Sequence, residues 1–270
     1  MPTMRVNGYD LSFVEQGTGV PLLLVHGTFG DYRYWSGDMA AFAARYRTIA
    51  ISLRHCWPEA WDGEGDDYTT AQHASDIAAF IAGLGAGPVH LLGLSLGGYI
   101  AFRVARDFPH AVRALVLVEP GGTVDASLAP ATPSPTAPPS AVLADVAARI
   151  RQGERDGPLA PAVDGVCGPD FWARTSDLIR QITRDNARTV LGQIKETRVP
   201  ISRADVAAIR APTLLLAGEH SPAHFHRVLD GLQGALADGH RAVVPGAYHM
   251  SNIDNPDGFA QAVLAFLEGR

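Results

Sequence analysis

Only one lysine, Lys195, stands among the 22 lysines and arginines of this sequence, and basic residues nowhere form a run. With a formal charge of −6, the chain has no positive surface of the kind that neutralises phosphates, so nucleic acid and anionic membranes are not expected partners. Long hydrophobic runs are also missing. Runs such as Pro21 to Val25 and Leu214 to Ala217 are strand-sized, well short of the ~20 residues that span a bilayer. The opening segment Met1-Pro2-Thr3-Met4-Arg5-Val6 lacks the apolar core of a secretory signal, so a soluble, cytoplasmic protein is expected. Two cysteines, Cys56 and Cys167, are too few for a disulfide framework or a cysteine-based metal site and are expected to be free thiols.

What is present is a globular composition, 47% apolar and 19% charged, over 270 residues. Apolar, strand-like runs alternate with stretches of helical periodicity, and Gly, Pro or Asp sits at most junctions. Such alternation predicts a mostly parallel sheet with helices on both faces. The strands expected are Leu11–Gln16, Pro21–Val25, Tyr46–Ser52, Val89–Leu94, Val112–Glu119, Thr213–Ala217 and Arg241–Val244. Helices are expected over Tyr34–Ala44, Thr70–Leu84, Leu96–Phe108, His224–Leu236 and Pro256–Leu267. Asp76, Ile77, Phe80, Ile81 and Leu84 show the spacing of one apolar helix face.

Between Glu119 and Thr213 the rhythm breaks. A Pro/Ala/Ser/Thr stretch, read over Pro130 to Pro139 as a solvated linker, leads into three amphipathic segments, roughly Ala141–Gln152, Asp170–Asp185 and Ala187–Thr197. Pro200 and Pro212 then punctuate the return to the sheet. The expected organisation is a core of residues 1–119 and 213–270 with a helical cap at 120–212.

The strongest motif is Gly93-Leu94-Ser95-Leu96-Gly97-Gly98, with the apolar run Val89–Leu92 before it and an amphipathic helix after it. A serine at the tip of so sharp a strand-to-helix turn needs glycine two positions before and two after to escape collision. The helix N-terminus then directs free amides at a point where negative charge can develop.

This motif, with the His26-Gly27-Thr28 loop after a buried strand and the Gly246-Ala247-Tyr248-His249 segment near the C-terminus, resembles the α/β-hydrolase fold superfamily across nearly the whole chain. The resemblance implies an eight-stranded, mostly parallel sheet with the cap inserted between strands 6 and 7. It also implies Ser95 as nucleophile, His249 as its base, and the amides of Thr28 and Leu96 as the oxyanion hole, Phe29 being a further donor candidate. His26 is expected to hold loop geometry rather than to take protons.

The third triad member departs from the pattern. Where most relatives place an aspartate after the seventh strand, this chain reads Gly218-Glu219-His220-Ser221, and Ser221 cannot hold a negative charge against an imidazolium. The fold offers a second location at the end of the preceding strand, and Val116-Leu117-Val118-Glu119 puts Glu119 there. A charge closing an apolar strand also needs a partner to offset its desolvation. Glu119 is therefore the assigned acid, with Glu219 and then Asp254 as alternatives.

Other features have plainer readings. His220, His224 and His226 fit no metal motif. Arg54 is read as a structural anchor, and Trp57 and Trp61 as loop packing. Phe171-Trp172 and Leu178-Ile179 are read either as an apolar ceiling over the serine or as the contacts that dock the cap. The expected activity is cofactor-free and metal-free hydrolysis of a carboxylic ester, lactone or thioester of a small hydrophobic molecule through an acyl-enzyme on Ser95. A non-hydrolytic acyltransferase or cyclase on the same scaffold is the alternative, followed by a silent ligand-binding protein.

Overall fold

In the computed structural model, which describes residues 1–128, 139–154 and 156–270, eight strands form one sheet. They are β1 (Thr3–Val6), β2 (Tyr9–Gln16), β3 (Pro21–Val25), β4 (Arg47–Ile51), β5 (Val89–Leu94), β6 (Val112–Val118), β7 (Thr213–Gly218) and β8 (Gly239–Val244), in the order β1-β2-β4-β3-β5-β6-β7-β8. The pairs β1–β2 and β2–β4 are antiparallel and the rest parallel. β3, β5 and β7 are buried at every position, as their unbroken apolar sequences require of strands covered on both faces.

Leu22 and Leu24 pack on one face of the sheet with Trp35, with Phe42 from α1 (Met39–Ala43), and with Phe259 and Val263. Leu23 and Val25 point to the other, against α2 (Thr70–Gly83), α3 (Leu96–Asp107) and Val228, Leu229 and Leu232. The alternation of a strand thus feeds two cores.

Several sequence boundaries need correction. β1 was not expected; its edge position leaves most of its residues partly or fully exposed, which removes the apolar signal. The helix expected over Tyr34–Ala44 splits into a 3-10 turn, Tyr32–Gly37, and α1, because Asp31 caps the turn through the amide of Arg33. Between β6 and β7 the three expected segments become α4 (Pro139–Arg151), α5 (Leu159–Cys167), α6 (Phe171–Arg174), α7 (Asp177–Asp185), α8 (Thr189–Gln193) and α9 (Arg203–Ala207). Pro161 and Gly165 mask α5 in the sequence. The linker read over 130–139 lies outside the described residues, apart from Pro139 at the start of α4.

The chain returns through α10 (Ala223–Gln233), and after β8 through α11 (Ser251–Asp254) and α12 (Pro256–Leu267). Both cysteines are buried and free. No helix among the described residues is long and apolar enough to cross a membrane.

Because β4 lies on one side of β3 and β5 on the other, the chain reverses its direction of progress across the sheet between β3 and β5. In open α/β sheets a ligand crevice forms at such a point, outside the carboxyl ends of the strands. Near it Arg54, which follows β4, reaches Asp76 on α2 with Nε at 2.9 Å and Nη2 at 3.0 Å, both partners being buried. Removing Arg54 would leave the buried Asp76 charge with only the neutral donors Asn7 and Gln72. Arg54→Met is expected to cost about 3–5 kcal/mol, read as a lowered urea midpoint.

Candidate active site

Ser95 sits between β5 and α3 with φ 54° and ψ −116°, a backbone conformation that few side-chain-bearing residues adopt. Its amide donates to Val118 O at 2.9 Å, and its carbonyl accepts from Gly121 N at 2.8 Å and Tyr99 N at 3.0 Å, so backbone bonds over-determine the strained turn. A methyl on Gly93 would lie 2.2 Å from Gly97 O, and one on Gly97 would lie 2.3 Å from His26 O. Glycine at both positions is therefore a steric requirement of the turn.

The loop after β3 comes directly against the serine: a methyl on Gly27 would lie 3.2 Å from Ser95 Cβ. His26 faces Gly27 O through Nδ1 at 2.9 Å and accepts from Leu53 N through Nε2 at 3.1 Å, which assigns its tautomer. Burial pushes its pKa below the usual histidine value. Both nitrogens are committed to the backbone, so His26 holds the loop. The Thr28 hydroxyl donates to Gln193 on α8 at 3.1 Å, and Phe29, with φ 61°, packs into the apolar cluster of α4, α5 and α8. The amide of Leu96 belongs to the first turn of α3, where helix amides have no intrahelical partner.

Glu119 and His249 are in contact. Nδ1 of His249 lies 2.5 Å from Glu119 Oε2, with Glu119 0% and His249 2% exposed. The other carboxylate oxygen accepts from the amide of Gly218, at the end of β7, at 2.8 Å. The carboxylate fixes the proton on Nδ1 and leaves Nε2 as the free lone pair. Phe225 of α10 stacks on the imidazole, centroids 4.2 Å apart at 11°. Beside it, His224 titrates below the usual histidine value through burial and the nearby His249.

The alternative acids lie elsewhere. Glu219 accepts from Gly246 N at 2.8 Å. Asp254 accepts from Tyr248 N at 2.9 Å and from Arg174 at 2.7 Å. Both brace the segment carrying His249 without touching its ring. The Ser221 hydroxyl is buried and has no hydrogen-bond partner among the described residues. Ser95 Oγ and His249 share no hydrogen bond within 3.5 Å among the described residues. Such bonds are often long in ligand-free enzymes and tighten once substrate is bound.

Phe171 is fully buried and Trp172 packs inside the cap cluster, whereas Leu178 is exposed. Trp61 stacks on His55, and Arg33 lies over Trp57. Among the described residues no group of three or more His, Cys, Asp or Glu has the arrangement of a metal site.

No sequence pattern marks Phe225, the Gly218 amide or a polar network under the histidine segment. In that network Asn252 donates to buried Asp38 at 2.9 Å and accepts from Tyr34 at 2.6 Å. The spacing of these residues along the chain, 214 and 218 positions, leaves no local pattern to read.

A doubly covered, mostly parallel sheet with a strained serine at its switch point and a buried pair between Glu119, at the end of β6, and His249, in the loop after β8, defines a class of fold and site. The chain belongs to the Alpha/beta hydrolase family, whose model matches residues 22–262. A thermophilic esterase from Thermogutta terrifontis, solved with malate bound, is 26% identical, with a TM-score of 0.75 over 98% of this chain and 96% of that one. The enol-lactonase of Burkholderia xenovorans, 20% identical, has a TM-score of 0.80 over 98% and 99% of the two chains, a likeness of fold. An uncharacterized Mycobacterium tuberculosis protein is 34% identical over 128 residues, 45% of this chain and 36% of that protein. The chain spans between about a third and a half of the length of several curated relatives it matches.

Burial raises the Asp38 carboxyl from 3.8 to about 7, with the Asn252 hydrogen bond pulling the other way. The folded state thus holds this proton more tightly than the unfolded chain. The stability it contributes is complete below pH 3.8 and is lost as pH rises through about 7. Asp38→Asn, neutral throughout, is expected to melt progressively higher relative to the parent as pH rises from about 4 to about 7, with the difference levelling off above that, measured by thermal denaturation.

Proposed function

We propose that the protein is a serine hydrolase acting on a carboxylic ester, lactone or thioester of a small molecule, with Ser95 as nucleophile, His249 as general base and Glu119 as the triad acid. The observation that carries this reading is the fully buried bond between Glu119 and His249, on the strand end next to the strained serine. The division into a core of residues 1–119 and 213–270 and a cap at 120–212 belongs to the same proposal, the helices between β6 and β7 supporting it.

In the first half-reaction Ser95 Oγ attacks the carbonyl carbon while His249 Nε2 takes the hydroxyl proton. The amides of Thr28 and Leu96 receive the charge that develops on the carbonyl oxygen. The tetrahedral intermediate then collapses, the bond to the leaving alcohol or thiol breaks, and His249 returns the proton to it. In the second half-reaction water gives its proton to His249 and attacks the acyl carbon. Ser95 leaves, recovers the proton, and the free acid departs. Each time the imidazole becomes charged, Glu119 stabilises it and keeps Nε2 turned to the site.

The fit to esters rests on a hydroxyl nucleophile and on esterase and lactonase neighbours of the same fold. Ser95→Ala is expected to reduce kcat by about 10⁶-fold on whichever ester or lactone of a graded chain-length panel is turned over. Turnover at the parental rate rejects Ser95. Glu119→Gln is expected to lower kcat by about 10⁴-fold with an unchanged circular dichroism spectrum, and Glu219→Gln to fall far less. The reverse order moves the acid to Glu219.

A further inference from the structure

Arg198 lies on the segment that returns from α8 toward α9, half-buried beside Tyr68 and Tyr99. Among the described residues its guanidinium has no hydrogen bond and no carboxylate within 4.0 Å; the contact it makes is with the Tyr99 ring, 5.8 Å away. Other part-buried arginines differ. Arg33 is paired with Asp31 and Asp185, Arg54 with Asp76 and Asp67, and Arg106 with Asp107 and Asp205. Glu196, the acid two residues away, turns its oxygens to Thr70, accepting from its hydroxyl at 2.7 Å and its amide at 3.1 Å. The Tyr99 hydroxyl is committed to Val199 O at 3.0 Å.

The place of this cation matters more than its lack of a partner. A methyl on Gly121 would lie 3.4 Å from Arg198 Nη1, 3.4 Å from Ser95 O and 3.5 Å from Ser95 C. One side-chain-free position therefore separates the guanidinium from the backbone of the candidate nucleophile. Burial lowers the proton affinity of Arg198 relative to an ordinary arginine, the nearby Glu196 opposing that shift, yet an arginine keeps its charge in proteins. A partly desolvated guanidinium with no carboxylate in contact is costly to the fold, and its planar fork of donors matches a carboxylate in two-point contact.

We infer that Arg198 binds a carboxylate on the substrate, so that the preferred substrates are half-esters of short dicarboxylic acids, or short lactones bearing a free carboxylate, with that carboxylate at Arg198 and the scissile carbonyl at Ser95. This rests on the serine-hydrolase reading and sharpens it, adding a charge requirement to a substrate otherwise taken as hydrophobic. The approach of Arg198 to the Ser95 backbone across Gly121 makes short-chain ligands the first to test.

Binding is measured by isothermal titration calorimetry on the full-length Ser95→Ala protein, which removes turnover from the readout. The ligands are the monoethyl esters of malonate, succinate and glutarate and the matching diethyl esters. At least one monoester is expected to bind at least about tenfold tighter than its diester, as a charge-assisted hydrogen bond allows. In Ser95→Ala/Arg198→Gln that preference is expected to vanish, and in Ser95→Ala/Arg198→Lys to survive in part. No monoester preference in Ser95→Ala, a result that needs no arginine variant, overturns the inference, as does a preference that Arg198→Gln leaves intact. Loss of the serine-hydrolase reading registers separately, as unchanged ester turnover when Ser95 is replaced in the kinetic assay.

Discussion

A carboxylate with no access to water must be satisfied by protein donors, and the arrangement around Glu119 follows from that constraint. Its two oxygens are taken by the imidazole of His249 and the amide of Gly218. Three chain segments far apart in sequence are thereby tied at one point: the end of β6, the end of β7 and the loop after β8. Truncating one partner of such a pair strands the other, a loss of roughly 3–5 kcal/mol. The pair thus acts on stability as well as on the orientation of the imidazole. Ser221 need carry no charge in this arrangement, because the imidazole of His249 already meets the Glu119 carboxylate. Glu219 and Asp254 instead hold the backbone at Gly246 and Tyr248, so all three acids converge on the same segment while only one meets the ring.

The serine side is held by sterics rather than charge. Gly93 and Gly97 let β5, α3 and the loop after β3 approach closely, and backbone bonds from the ends of β5 and β6 keep Ser95 in its strained conformation. The cap is fastened to this assembly at several points. Phe29 enters its apolar cluster, Gln193 receives the Thr28 hydroxyl, and Asn186 donates to buried Asp31 at 2.7 Å while accepting from Trp57 N at 2.7 Å. These contacts tie the cap helices to the loop after β3.

Much of the fold was legible because a strand buried on both faces has to be apolar throughout, as Leu22–Leu24 and Leu214–Leu216 are. β1 was not, since an edge strand with exposed threonine and arginine carries no such pattern. Short cap helices fail for a different reason: α6 and α8 have too few turns to show a period, and their stability comes from tertiary packing. At the candidate site, the Ser95 turn could be read because its sterics dictate glycine at fixed offsets. Glu119 could be read because a charge closing an apolar strand demands a partner. Phe225 and Arg198 could not, since a ring stacked across elements and a cation with no carboxylate in contact are facts of three-dimensional placement.

The central claim, that the hydroxyl at 95 is activated by the imidazole and its buried carboxylate, is tested most directly by reacting the protein with a fluorophosphonate and mapping the adduct by peptide mass spectrometry. The account predicts one stoichiometric adduct, on the peptide containing Ser95, formed only while the protein is folded. A folded protein that takes up no label, or takes it up on a different residue, would contradict it.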